Sequence, residues 1–428
     1  MNALDAGRRR LLGIGAGMAL AAAPLAATAQ PAPRPEPAAR RTMLSAAAFG
    51  AVGDGKADDT RALQAALDAT FAPGGPGFLV IPPGEYKVSR TLRIATSGGP
   101  PGDIGRHSGI TAHGAHIVSA ITNGANVFEL VSGTTVRFIL IEGLDVLGSG
   151  SDGHGIYLEC EHKEHYLYNI CLRDVAVQDC GGDGCRMVGN VFEGQVINSY
   201  FRKNNGNGIT FGHGFRAGIL SAIHVFGCVF GDNGRHGAAL VNRCYDVGFH
   251  GCYFLLNGKF GLVAENGCTI LSNCGFENNH QAASGFETGD AGIALQGFAT
   301  LIGCGAYSIY NQTHLIRAYV VGQLVMIGCG GFGDERAKGA GFARIGGRSK
   351  VGATIIGCSG TIEYVDGFDG VEMGGAVGGL RLASDWRSPN LARLGDYRLW
   401  VDKRGNLRLK KGAPSSDEDG TAVGRGAG

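Results

Sequence analysis

Charge of one sign is missing from this chain. Its 428 residues carry 38 Lys and Arg against 37 Asp and Glu, a formal net charge of +1. Such a balance gives no electrostatic footprint for nucleic acid or for an anionic membrane surface. A membrane-spanning run is missing too: the apolar segment Leu11–Ala26 falls short of the roughly 18–20 residues a spanning helix needs. The twelve cysteines include no C-x-x-C pair, the spacing that zinc ribbons and redox motifs use. Leucines at fixed offsets with a helix in every unit are absent, which excludes a leucine-rich repeat.

What fills the chain is another repeat. An apolar alternation at Val225, Cys228 and Phe230 leads into a turn at Asp232-Asn233-Gly234 and a second apolar strand from Gly237. The phrase returns as Gly251–Asn266 and Asn198–Phe211, with looser copies on either side. Aligning the glycine that opens the second strand gives Gly155, Gly184, Gly208, Gly237 and Gly261, at steps of 29, 24, 29 and 24. Short strands and Asn/Gly turns at this period build a solenoid in which each repeat covers its neighbour's apolar face. The pattern predicts an all-β chain: a right-handed parallel β-helix of about nine or ten coils. Residues 45–380 form the solenoid, with a short N-terminal capping helix, and 381–428 a small C-terminal β-hairpin tail.

Residues 1–29 read as an export signal. Arg8, Arg9 and Arg10 precede the apolar run, and Ala27-Thr28-Ala29 offers an A-x-A cleavage site. Consecutive arginines before Leu11-Leu12 point to the twin-arginine route, with an ordinary Sec signal as the alternative. Cleavage removes three Arg and one Asp, taking the net charge from +1 to −1. A periplasmic or secreted bacterial protein is expected, without nucleic-acid partner and without membrane attachment once the signal is gone. Residues 30–44, rich in Pro and Ala, read as an extended linker.

Phe49–Leu67 (FGAVGDGKADDTRALQAAL) followed by Ile81-Pro82-Pro83-Gly84-Glu85-Tyr86 resembles the opening of the pectate-lyase-like superfamily, which includes rhamnogalacturonase, epimerase-like and tailspike-like β-helices. The resemblance implies a β-helix acting on a polysaccharide. Physically, Asp58 or Asp59 can cap a helix whose Leu63, Ala66 and Leu67 share one face and close the solenoid's open end. Asp54, Asp58 and Asp59 therefore read as turn, cap and lid.

Cys228, Cys252, Cys274, Cys304, Cys329 and Cys358 share one repeat-equivalent position, held by Val175 and Ser199 in earlier coils. Such a column is an internal stack of free thiols. Cys160, Cys171, Cys180 and Cys185 lie outside it, and one disulfide among them suits an oxidising compartment.

Chemistry must come from residues facing out of the coils. The residues before the aligned glycines, His154, Asp183, Asn207, His236 and Phe260, make a polar column ending at an aromatic. Alternation from each glycine places Tyr157, Arg186, Thr210 and Ala239 outward. Both long steps hold excursions, Glu159–Tyr168 (ECEHKEHYLY) and Gly212–Gly218 (GHGFRAG), which flank a groove floored by Asp183 and Arg186. The region resembles polygalacturonase-type hydrolases, whose carboxylates precede such glycines in consecutive coils. Here His154-Gly155, Gly182-Asp183-Gly184 and Asn207-Gly208 stand in those places. Only Asp183 matches, and no Arg-Ile-Lys follows.

A hydrolase needs two carboxyls as acid and base, for which Glu159 or Asp152 would have to join Asp183. A lyase or epimerase acting on uronic acids needs a cation for the substrate carboxylate and a base for the C5 proton. Arg186 and Arg216 suit the first task, and His154, His213, His236 or Lys203 the second, with Tyr157 as acid. Asn207 and Glu159 complete the substrate-binding candidates. Calcium is left open, and a non-catalytic glycan-binding β-helix is the rival reading. Tyr397–Val401 and Asn406–Lys410 predict the C-terminal hairpin, followed by a flexible polar run, Ser415–Gly420.

Overall fold

The computed structural model describes residues 43–72, 75–96, 108–160, 164–212, 218–265, 267–279, 291–295, 298–307, 314–320, 324–332, 341–347, 352–358, 362–364, 370–374, 392–394 and 396–424. The expected export segment and nearly all of the expected linker lie outside these residues, as do His213 and Arg216. Among the described residues no helix is long and apolar enough to cross a membrane.

The chain winds as a parallel β-helix. A full coil contributes one strand to an 11-stranded parallel sheet and further short strands to a 25-stranded one. In one coil these are Ile156–Cys160, then Leu167–Tyr168, Cys171–Arg173 and Ala176–Gln178; the next coil enters at Cys185–Gly189. The smaller sheet runs in register from coil to coil: Ile156 lies beside Cys185, Cys185 beside Ile209, Ile209 beside Ala238 and Ala238 beside Leu262. The glycine alignment drawn from sequence is thus the true strand register.

Close approach explains those glycines. A Cβ on Gly184 would lie 2.7 Å from the carbonyl oxygen of Gly208 in the next coil, and one on Gly155 only 2.3 Å from a Val177 methyl. Any side chain there would force the coils apart.

Inside, one residue type stacks on itself. Phe201, Phe230, Phe254 and Phe276 follow each other with ring centroids 5.5, 5.0 and 4.7 Å apart, each offset pair adding about 0.5–1.5 kcal/mol beyond area burial. The cysteine column is buried as expected, with Val175 and Ser199 continuing it. Its thiols donate to backbone carbonyls of the preceding coil, Cys252 to Val225 at 3.4 Å and Cys274 to Phe249 at 3.3 Å. The disulfide expected among Cys160, Cys171, Cys180 and Cys185 does not exist: all twelve cysteines are free. The register is the reason, since Cys160 faces Gly189 while Cys185 faces Ile156 and Ile209.

A fourth column was not foreseen. Asn204, Asn233, Asn257 and Asn279 are buried, and each side-chain amide donates to the next carbonyl oxygen at 3.0, 2.9 and 2.7 Å. Backbone N–H groups of the same residues donate to those oxygens too. The ladder satisfies buried turn backbone that would otherwise cost about 1–3 kcal/mol per orphaned group.

The helix Thr60–Phe71 buries Leu63, Ala66 and Leu67 against the first coils. Asp58, not Asp59, accepts the Thr60 N–H, at 3.0 Å. The Ser89 and Thr60 hydroxyls also donate to it and lower its carboxyl to about 2. Asp59 instead receives the N–H groups of Val52 and Gly53, at 2.7 and 3.0 Å, which shapes the turn before it. Asp54 closes its own turn by accepting from Lys56 and Ala57. All three acids serve the fold.

At the C-terminus the hairpin is part of a four-stranded antiparallel sheet: Ala392–Leu394, Tyr397–Val401, Leu407–Lys411 and Thr421–Gly424. The run expected to be flexible is tied down. Asp419 accepts from the Ser415 N–H and hydroxyl and pairs with Lys410, while the Asp417 carbonyl takes the indole N–H of buried Trp400 at 2.8 Å.

Candidate functional site

The residues before the aligned glycines form a ladder with a definite chemistry. Each side chain accepts the backbone N–H of its counterpart one coil on. Asn126 Oδ1 accepts from His154 at 2.8 Å, His154 Nδ1 from Asp183 at 2.8 Å, Asp183 Oδ1 from Asn207 at 2.8 Å and Asn207 Oδ1 from His236 at 3.0 Å. Four of these positions are thereby committed to the turn backbone. Asn126 escaped the sequence alignment because Val127, not glycine, follows it.

Asp183 does more than this. Its residue is only 5 % exposed, and its second oxygen, Oδ2, receives Arg186 Nη1 at 3.1 Å and lies 3.7 Å from His154 Nδ1. The strand Cys185–Gly189 places Arg186 on the outer face beside Tyr157 of the preceding coil. Tyr157 donates its hydroxyl proton to Glu159 Oε2 at 2.8 Å, and its ring stacks on that of His154 at 5.8 Å. Glu159 itself is nearly buried. Two carboxylates, a phenol, a guanidinium and an imidazole thus occupy two adjacent strands.

His154 differs from its expected role as a base. With Nδ1 accepting the Asp183 N–H, the neutral ring carries its proton on Nε2 and offers a donor there. Burial pushes its pKa below the ordinary value, with Asp183 opposing and Arg186 reinforcing the shift. The ring is held neutral, as a hydrogen-bond donor.

The remaining candidates are distributed along the solenoid. Asn207 donates its amide to Thr210 Oγ1 at 2.9 Å, and both are buried although Thr210 was expected to face outward; Ala239 is buried as well. His236 lies two rungs beyond Asp183 with its ring stacked on Phe260 at 5.5 Å. Lys203 is exposed in a left-handed turn, in the column of Asp179, Asp232 and Leu256 and not in that of Asp183. Asp152 accepts the Gly181 N–H at 2.7 Å and the Ser149 N–H at 2.9 Å, a turn-forming role. His213 and Arg216 fall outside the described residues. One strand ends at Cys160, paired with Gly189, and the other at Phe211, paired with Met187. Both excursions therefore start on either side of the Asp183 strand. Among the described residues no three His, Cys, Asp or Glu side chains converge as a metal-binding group.

Sequence reasoning missed Arg93, Glu129 and Asn126. They extend the outer row toward the capping helix: Arg93 Nε donates to Glu129 Oε2 and the Asn126 amide to Glu129 Oε1, each at 2.8 Å. The only signal was alternation in Leu92–Thr96 and Phe128–Ser132, which lack the aligned glycine.

Comparison with known proteins agrees with this architecture. Residues 125–311 match the family model described as right handed beta helix region, and residues 348–425 that of capsule depolymerase. The mannuronan C5-epimerase AlgE3 of Azotobacter vinelandii is 28% identical over 245 residues, 52% of this chain. This chain spans only 12% of that relative's length. The solved A-module of the mannuronan C-5 epimerase AlgE4 from the same organism superimposes with a TM-score of 0.50 at 15% identity, covering 78% of this chain and 100% of the module. The enzymatically active domain of bacteriophage CBA120 tailspike protein 2 gives 0.52 at 15%, covering 74% and 47%. These likenesses show the fold, a right-handed parallel β-helix, and support the superfamily that the opening of the chain resembles.

Proposed function

We propose that this protein acts on an acidic, uronic-acid-containing polysaccharide by chemistry at C5, as a lyase or an epimerase. The observation that carries the reading is the outward cluster in which Arg186, Tyr157 and Glu159 lie beside Asp183. The names of the similar proteins support the substrate class: mannuronan epimerases and a capsule depolymerase.

In this reading the Arg186 guanidinium, held in place by Asp183, neutralises the sugar carboxylate. That lowers the cost of charge developing there as the C5 proton leaves. Tyr157 gives its phenolic proton to Glu159, and the resulting phenolate takes the C5 proton. In β-elimination the electron pair forms the C4–C5 double bond, the C4–O bond breaks, and the leaving oxygen takes up the proton that Tyr157 has just received. In epimerisation the C4–O bond stays intact, water on the opposite face gives a proton to C5, and the hydroxide so formed is neutralised by the proton that Tyr157 took. The Nε2–H of His154 supplies a neutral donor to the carboxylate as charge builds. No step is routed through calcium. Export by the twin-arginine route, placing the enzyme in the periplasm or outside the cell, belongs to the same proposal.

The test is a screen of mannuronan, guluronan, polygalacturonate and capsular uronic-acid polymers with the purified mature chain. Ultraviolet absorbance reports the unsaturated product of a lyase and proton NMR the C5 configuration change of an epimerase. New reducing ends without absorbance would move the reading to a hydrolase using Asp183 and Glu159. Binding without any turnover would favour the glycan-binding reading, and neither binding nor turnover on any acidic polymer would refute the substrate class.

A further inference from the structure

We propose that the cavity between the capping helix and the first coils is a second carboxylate subsite for the same polymer, centred on Arg90, with Arg93, already paired with Glu129, in its wall. This rests on the acidic-polymer reading above. The cavity has a volume of about 450 Å³, and Arg90, Arg93, Gln64, Thr91 and Asn123 are among its lining residues; none of its walls is acidic. A second hollow of about 350 Å³ shares Gln64, Arg90 and Thr91 with it and adds both Arg61 and Asp68.

The walls are held in place by hydrogen bonds. The Gln64 amide donates to the Arg93 carbonyl at 2.8 Å and its oxygen accepts the Arg93 N–H at 2.8 Å, which clamps the helix to the first strand of the smaller sheet. The Thr91 hydroxyl donates to the Asn126 carbonyl at 2.7 Å, joining that strand's entry to the next coil. Arg90 is exposed and forms no ion pair among the described residues; its charge reaches Asp58, whose carboxylate the Ser89 and Thr60 hydroxyls already occupy. A guanidinium on a fixed wall with no committed acid is a ready acceptor of a carboxylate in bidentate geometry.

Placement connects the cavity to the reacting centre. Arg93, Glu129, Tyr157 and Arg186 occupy one register row of four adjacent strands. At about 4.7–4.9 Å per strand, Arg93 and Arg186 stand roughly 14 Å apart along the solenoid axis. A polymer lying along the row with one sugar at Arg186 carries a later carboxylate to the cavity. A trimer centred on Arg186 falls short of it; a hexamer reaches it.

The test measures binding, so it does not depend on turnover. Calorimetry would compare tri- and hexamers of mannuronate and galacturonate, with maltohexaose as the neutral probe, on wild type, Arg90→Gln, Arg90→Lys and Arg186→Ala. Wild type should bind the preferred uronate hexamer about tenfold more tightly than the trimer. Arg90→Gln should remove most of that advantage and leave trimer affinity unchanged, and Arg90→Lys should keep a good part of it. Arg186→Ala should weaken trimer and hexamer together. Equal hexamer affinity in wild type and Arg90→Gln, with the length effect intact, would overturn the subsite alone. Failure of the wild type to prefer either uronate over maltohexaose would overturn both the subsite and the substrate class.

Discussion

Replacing Asp183 by Asn tests the site and its coupling to the fold at once. Judged by sequence, the change swaps one turn-former for another and should cost less than about 1 kcal/mol. The structure raises that figure. Asn Oδ1 can still accept the Asn207 N–H that Asp183 accepts at 2.8 Å, so the ladder rung survives. The other carboxylate oxygen becomes an NH₂ group facing the Arg186 guanidinium 3.1 Å away, donor against donor. Breaking a fully buried pair costs about 3–5 kcal/mol. The Arg186 side chain is 23% exposed, so water recovers part of that loss and about 2 kcal/mol is expected. Asp183→Ala should cost about 1–2 kcal/mol more, because it also orphans the buried N–H. Adding Arg186→Gln to Asp183→Asn should restore about 1 kcal/mol by removing the stranded cation. Equilibrium urea denaturation of the three variants and wild type would measure these differences. On whichever polymer the wild type converts, Asp183→Asn should also lower turnover by about a hundredfold, since Arg186 loses the group that aims it. A denaturation midpoint and a rate both equal to wild type would refute the reasoning.

Three further outcomes follow from the columns and a fourth from the N-terminal arginines. Because burial holds His154 neutral in the native state, the unfolded chain alone takes up that proton near its ordinary pKa of about 6.5. Its contribution to stability is therefore complete above that pH and is lost as the pH falls below it toward the lowered native value. His154→Asn, which copies the acceptor that Asn126 and Asn207 provide, should flatten this part of the stability–pH curve; an unchanged slope would contradict it. Cys252→Asp should cost several kcal/mol by burying a carboxylate in a dry stack while Cys252→Ala stays mild, and equal melting temperatures would sink the inward column. Asn257→Leu should cost about 2–4 kcal/mol, since it orphans the buried Asn233 N–H and one of the two amide protons of Asn233, the other keeping the Phe201 carbonyl; a neutral change would deny the ladder its role. Arg9→Lys with Arg10→Lys should abolish export if the twin-arginine route operates, and a normal periplasmic yield would assign the chain to Sec.

Sequence alone determined the coil. The aligned glycines were legible because close coil contact leaves no space for a Cβ at Gly155, Gly184, Gly208 and Gly237, and a constraint of that kind must recur in the chain once per turn. The cysteine column was legible for the same reason: one inward position meets the same neighbours in every coil. Asp183 could be singled out because it precedes an aligned glycine and Arg186 because alternation from that glycine points it outward, although the same alternation failed at Thr210 and Ala239, which are buried. The asparagine ladder repeats four residues before Gly208, Gly237 and Gly261, yet Asn is common in turns and its burial left no mark in the chain. What only the tertiary structure decided were relations between coils. The nitrogen of His154 left free for chemistry depends on an N–H 29 residues away. The partner of Arg93 depends on which side chain the register sets beside it. The cavity at the capping helix depends on where that helix docks. A repeat writes its own period into the sequence, because each coil obeys the same local sterics; it does not write which hydrogen-bond donor meets which acceptor across coils, because that is settled only when the coils are stacked.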